Sequence, residues 1–154
     1  RYVPRLIELR KRHPVFRRPK FFQGRRIHGS DIKDIMWFTL HGKEMDDEEW
    51  NHAFARSLGM MLSGDAIDVR DPHGEPIRDQ TFLLLLNAYH EALPFTLPGK
   101  DGVVWEIVLD TRLEDGFPEE PERVTAGEVL ETEGRSLVLL RLEAGSHDAA
   151  RQEA

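Results

Sequence analysis

Thr81-Phe82-Leu83-Leu84-Leu85-Leu86-Asn87 is the most apolar run in the chain, and Leu93-Pro94-Phe95-Thr96-Leu97 follows it closely. Turn residues bound the pair, Asp71-Pro72-His73-Gly74 on one side and Pro98-Gly99 on the other. A short apolar run between turn signals reads as a buried strand. Side chains alternate along a strand, so Phe82, Leu84 and Leu86 face one way and Leu83 and Leu85 the other. A sheet wetted on one face needs a polar residue at every second position, and none occurs from Phe82 to Leu86. Both faces of this strand therefore need cover. A sandwich core supplies one; a helix, a loop or another domain must supply the other.

On either side of this run, short strands alternate with turns. Ile32–Leu40 is expected to be a strand, with Ile35 and Trp37 on one face and Met36 and Phe38 on the other. His41-Gly42 turns the chain. Asp46 with Glu49 three residues on has the form of a capping box and starts a helix of one or two turns. Phe54–Leu62 alternates as a strand, with Gly59 as a close-packing or bulge position. Gly64–Gln80 is polar and reads as an ordered loop. Lys100-Asp101-Gly102 is a hairpin signal before a strand over Val103–Leu109, which puts Trp105, Ile107 and Leu109 on one face. Asp110–Ala126, with two prolines and four glutamates, is expected to be a long loop. Val129-Leu130 makes a short strand, Glu133-Gly134 a turn, and Ser136–Leu142 the closing strand. Six or more such strands predict an antiparallel β-sandwich, mainly β in class, preceded by one helix. Ala144–Ala154 has no periodicity and reads as a frayed tail.

The helix is Tyr2–His13. Tyr2, Leu6 and Leu9 fall at i, i+4 and i+7, with Val3 and Ile7 beside them, a stripe of helical period. Pro4 is tolerable in a first turn, Arg10, Lys11 and Arg12 suit the negative end of the helix dipole, and Pro14 stops the helix. No capping residue precedes it. Val15–Ser30 is a connector with two arginine clusters.

The 154 residues carry a net charge of −7, spread unevenly. Residues 1–28 hold ten Lys/Arg against one acid, a balance of +9, so the remainder stands at −16. Such asymmetry can mark a nucleic-acid arm, but an acidic remainder repels a polyanion, and the solvated face of a basic helix explains the charge better. No nucleic-acid partner is expected. No apolar run is long enough to span a bilayer, so no membrane partner is expected either. The absence of cysteine excludes disulfides and thiolate metal sites and fits a reducing, cytoplasmic setting.

The chemistry-bearing residues point to no active site. Asp46, Asp47, Glu48 and Glu49 stabilise a helix start. Glu119, Glu120 and Glu122 solvate a loop. His90-Glu91 opens like a zinc-protease motif, but Pro94 stands where the second histidine belongs. No nucleophile elbow or phosphate-cradling glycine loop is present, and no metal or cofactor is expected. Trp37, Trp50 and Trp105 are candidates for sugar stacking, but tryptophans in a small domain more often pack, and nothing in the pattern gathers these into one exposed row. Carbohydrate-binding residues are left unassigned.

Several segments read in order are Tyr2–Phe16, Phe21–Arg25, Asp34–Phe38, Gly42–Met45 with Trp50 after it, Ala55–Gly59 and Phe82–Ala88. Together they resemble the C-terminal portion of bacterial glycogen debranching enzymes of the isoamylase group, glycoside hydrolases of the α-amylase superfamily. The match runs from Arg1 to about Leu142. His41, where the family's turn usually has an acid, and Pro4 depart from the pattern. The resemblance implies a catalytic barrel followed by a β-sandwich, with the first helix here as the barrel's last. It thus divides the chain into a barrel-terminal helix and basic connector (1–30), a sandwich (31–143) and a tail (144–154). Such enzymes cleave α-1,6 branch points of glycogen or limit dextrin by the retaining mechanism, with one carboxylate as nucleophile and another as acid/base. Those carboxylates belong upstream of Arg1, and a barrel takes about 250 residues, so no catalytic residue carries over to this sequence.

Two functions follow. The chain is either the accessory sandwich that braces the barrel of a debranching enzyme, or a free-standing binding or interaction module derived from one. The helix discriminates between them, since an independent protein would dress its stripe with polar residues, and this one does not. Tyr2, Leu6 and Leu9 are the expected interface, with the upstream barrel or with a second copy of the chain.

Overall fold

The computed structural model describes residues 2–26, 32–52 and 56–145. Helix α1 (Tyr2–Arg12) ends one residue before the expected His13 and passes into a 3-10 turn over Pro14–Arg17. The strands are β1 (Ile35–Phe38), β2 (Ser57–Leu62), β3 (Phe82–Asn87), β4 (Leu93–Thr96), β5 (Val104–Asp110), β6 (Glu122–Thr125), β7 (Val129–Thr132) and β8 (Ser136–Leu142), with a single-turn helix α2 (Asp47–Trp50) between β1 and β2. Six strands form one antiparallel sheet in the order β1-β2-β3-β8-β5-β6, and β4 pairs with β7 in a second, two-stranded sheet. Phe54, expected in a strand, and all of the tail beyond Gly145 lie outside the described residues.

The strand at Phe82–Asn87 is central, and its two faces enter two different cores. Leu83 and Leu85 join Phe38, Trp105, Ile107, Val138, Leu140 and Leu142, and the small sheet closes this core with Phe95, while Leu97 beyond it adds to the fill. Phe82 and Leu84 face the opposite core with Ile35, Leu62, Leu109 and Leu139. The cover on that side comes from the chain itself. Val15 of the 3-10 turn and Ile67 of the 64–80 loop are buried there, and Tyr2, Leu6 and Leu9 of α1 pack against it. A short amphipathic helix needs such packing to be stable in water. The outer face is thus covered in part by the chain itself, with Met60, Leu84, Val108 and Leu137 half-buried.

Three local readings are corrected. A register shift between Ile107 and Leu109 in the β5–β8 pairing moves Leu109 out of the core of Trp105 and Ile107 and into the helix-covered core. The acidic stretch expected to be a loop contains β6, an edge strand whose one buried side chain is Val124. The turn at Lys100-Asp101-Gly102 closes no hairpin, because β4 and β5 belong to different sheets; it hands the chain across the sandwich. The other expectation at a glycine holds as close packing. Gly59 faces Phe38 in regular register, and a Cβ there would lie 3.1 Å from that of Phe38.

Candidate functional site

The N-terminal segment is where the sequence placed the site, and its geometry starts at α1. The stripe Tyr2, Leu6 and Leu9 turns inward and is half-buried on the sheet, while its neighbours Val3 (61% exposed) and Ile7 (49% exposed) point to solvent. Tyr2 lies against Gly116, where any Cβ would sit 2.1 Å from its ring, and its ring meets that of Phe117 at 6.1 Å. The Arg5 guanidinium stands 4.0 Å over the Phe117 ring. A basic helix and an acidic loop, remote in sequence, therefore share one edge, with Glu119 and Glu120 along a shallow cleft beside Arg5.

Two buried carboxylates hold this segment to the sheet, and neither was singled out in the sequence. Asp79 accepts from His13 Nδ1 at 2.8 Å and from the Val15 amide at 3.1 Å, pinning the junction between α1 and the 3-10 turn. The His13 ring packs edge-on against Phe82, and Phe16 reaches the same ring, both at 4.7 Å between centroids. Asp34 accepts from Arg18 Nη1 at 3.0 Å and from the amides of Gln23, Gly24 and Ile35 at 2.9 Å each. The Arg18 and Asp34 side chains are 4% and 2% exposed. A buried ion pair persists where hydrogen bonds satisfy its remaining donors and acceptors; Asp34 meets that condition, while the buried Nε of Arg18 has no partner. The connector is thereby fastened to the sheet at Val15, Arg18, Gln23 and Gly24. Phe21, 95% exposed, is the one large apolar side chain among its described residues that finds no cover.

The remaining candidates take structural roles. Asp46 caps α2, accepting from the Glu48 and Glu49 amides at 3.0 Å, and Glu49 Oε2 accepts from the Asp46 amide at 2.9 Å. Trp105 is buried and donates to the Pro98 carbonyl at 2.9 Å. The structure does bring Trp37 and Trp50 together, with centroids 5.2 Å apart, but the rings meet edge to face at 78° and only Trp50 is exposed. This is a packed pair rather than a flat stacking row. His90 pairs with Glu91 at 3.7 Å, and no group of three or more histidine, cysteine or carboxylate residues is placed to hold a metal among the described residues. No described helix is long and apolar enough to cross a membrane.

The family comparison follows the boundaries of this architecture. The isoamylase C-terminal family model matches residues 34–141, from the buried Asp34 to β8, and leaves α1 and the connector outside. The chain belongs to this family. Among curated relatives, the proteins named glycogen operon protein GlgX homolog from Mycobacterium bovis and Mycobacterium tuberculosis are 40% identical to it over 136 residues, covering 86% of this chain and 18% of theirs. The chain thus spans about a fifth of the length of these relatives. A solved structure, pullulanase type I from Bacillus subtilis complexed with maltose, aligns with a TM-score of 0.55 at 17% identity, over 93% of this chain and 15% of that one. At that identity the likeness concerns the fold.

Proposed function

We propose that the chain is the C-terminal accessory domain of a glycogen debranching enzyme, and that its work is to brace the catalytic barrel that precedes it. The observation that carries this reading is the isoamylase C-terminal match over 34–141, in a chain that aligns with only 18% of relatives named for a glycogen operon. The hydrolysis of α-1,6 linkages, the contact with glycogen or limit dextrin and the cytoplasmic setting belong in this reading to the whole enzyme. Glu106, which lines the cleft beside Arg5 together with Glu119 and Glu120, is paired with Arg141 at 2.6 Å and faces Arg123 at 4.0 Å.

The buried stripe no longer separates this reading from a free-standing module, because the chain's own sheet covers it. The residues that would meet a barrel are instead the outward ones. Helix α1 would sit between two bodies, with Tyr2, Leu6 and Leu9 fastening it to the sandwich and Val3 and Ile7 facing the preceding domain. In the isolated chain the same apolar edge would favour weak self-association. The test is a Val3→Glu, Ile7→Glu variant placed in a polypeptide as long as the mycobacterial relatives. The expected result is a lowered melting temperature of the catalytic portion with the sandwich intact. Unchanged melting of both portions would overturn the bracing role.

A further inference from the structure

At the end of the large sheet remote from Asp34, three strands finish on one level. Ser57 of β2, Asn87 of β3 and Ser136 of β8 are successive partners across the ladder. The next level outward is Arg56, Ala88 and Arg135, and the Ala88 amide still donates to the Arg56 carbonyl at 2.9 Å. Neighbouring strands lie about 4.8 Å apart, so the two arginine backbones stand roughly 10 Å apart with a small residue between them. These three residues, with Tyr89 and His90, line a cleft of about 450 Å³.

The cleft is held by buried groups. Asn87, 2% exposed, donates through Nδ2 to the carbonyls of Glu91, Thr132 and Glu133 at 2.9–3.0 Å and accepts from the Tyr89 amide at 2.9 Å. Gly134 packs so closely on His90 that a Cβ would lie 2.4 Å from its carbonyl oxygen. The Arg135 amide donates to the Tyr89 carbonyl at 2.8 Å, and Arg135 itself adopts φ +54, a conformation few side-chain-bearing residues accept. Strain of this kind persists where the surroundings over-determine it and gathers at ligand clamps.

Charge decides the ligand class. Arg56 and Arg135 make no ion pair among the described residues, as is also true of Arg5, Arg10, Arg17, Arg25, Arg70 and Arg78, but these two line the same cleft. His90 adds a third nitrogen group, with Glu91 3.7 Å from it, and Glu133 borders the cleft as the residue before Gly134. The Tyr89 ring is already engaged, by the Arg56 guanidinium at 4.5 Å and the tilted His90 ring at 4.2 Å, contacts with which a stacking neutral sugar would compete. Guanidinium forks bind tetrahedral oxyanions through paired hydrogen bonds, and a phosphate has oxygens enough to engage two of them at once. We propose that Arg56, Ala88, Tyr89, His90 and Arg135 form a phosphate-binding site, occupied by free phosphate or by a phosphate ester of a sugar.

The experiment is a titration of the ¹⁵N-labelled chain, at constant ionic strength, with inorganic phosphate, glucose 1-phosphate and glucose. Saturable shifts of the Ala88, Tyr89, His90 and Arg135 amides are expected with both phosphates and not with glucose. Tighter binding of the ester assigns the site to phosphorylated sugar, and equal or tighter binding of inorganic phosphate assigns it to the free ion. Arg56→Gln, at an unstrained position, and Arg135→Asn, which tolerates the left-handed backbone, should each weaken binding tenfold or more with the melting temperature kept. Shifts that do not saturate, an equal response to glucose, or undiminished affinity in both variants would overturn the proposal.

Discussion

Replacing Asp34 by alanine should be among the most damaging single changes in the chain, and more damaging than removing its ionic partner. Asp34 satisfies four donors, the Arg18 guanidinium and three backbone amides, in a site where its side chain is 2% exposed. Removing it leaves Arg18 as an uncompensated buried cation, a loss of about 3–5 kcal/mol. Arg18→Met removes one charge-assisted bond and its contact 4.4 Å over Phe22, but Asp34 keeps its three amides. One such bond is worth about 1.5–3 kcal/mol, so the arginine variant should lose less. The double variant's loss should fall short of the sum of the two single losses by at least about 1 kcal/mol, as groups in one network do. Urea unfolding followed by tryptophan fluorescence measures all three. If Arg18→Met costs as much as Asp34→Ala, or if both cost under about 1 kcal/mol, the carboxylate is not the clamp of the connector.

Further outcomes follow from the two-sided sheet. Leu85→Ala, at 2% exposure, should cost about 2–5 kcal/mol in urea unfolding, and Leu84→Ala, only half-buried, clearly less. Leu6→Glu with Leu9→Glu should detach α1 from the sheet, seen as a fall in helical circular dichroism with the β signal kept; an unchanged spectrum would contradict the helix-on-sheet packing. Affinity electrophoresis in glycogen gels should show little retardation of the chain, and Trp50→Ala should not alter it, since the exposed Trp50 stands edge-on to Trp37. Strong retardation lost in that variant would show a working sugar platform.

Much of the fold could be read from alternation and punctuation. Ser136–Leu142 is the predicted strand residue for residue, α1 stops one residue short of expectation, and the Asp46–Glu49 capping box forms. These features are local, and local spacing records them. The β6 edge strand escaped because Val124 is its one buried residue, so it carries no alternation. Leu109 changed faces because a bulge resets the period of two, which residue types alone do not announce. The last strand to form in sequence, β8, lies in the middle of the sheet, and strand order depends on pairings between distant segments. Of the candidate interface, the helical stripe was legible, but not which of its edges faces inward. That is set by Asp79 and Asp34, whose donors come from residues 11 to 66 positions away in the case of His13, Val15 and Gln23. The cleft between Arg56 and Arg135 likewise exists only once three strands end on one level.

The proposed bracing of a debranching barrel is tested most directly by reducing-end release from glycogen limit dextrin. Three proteins are compared: the chain alone, a polypeptide extended to the length of its mycobacterial relatives, and that polypeptide lacking residues 32–145. The expected outcome is no release by the chain, release by the extended protein, and loss of that release together with a lowered melting temperature when the sandwich is removed. Hydrolysis by the isolated chain, or full activity and unchanged melting without the sandwich, would contradict it.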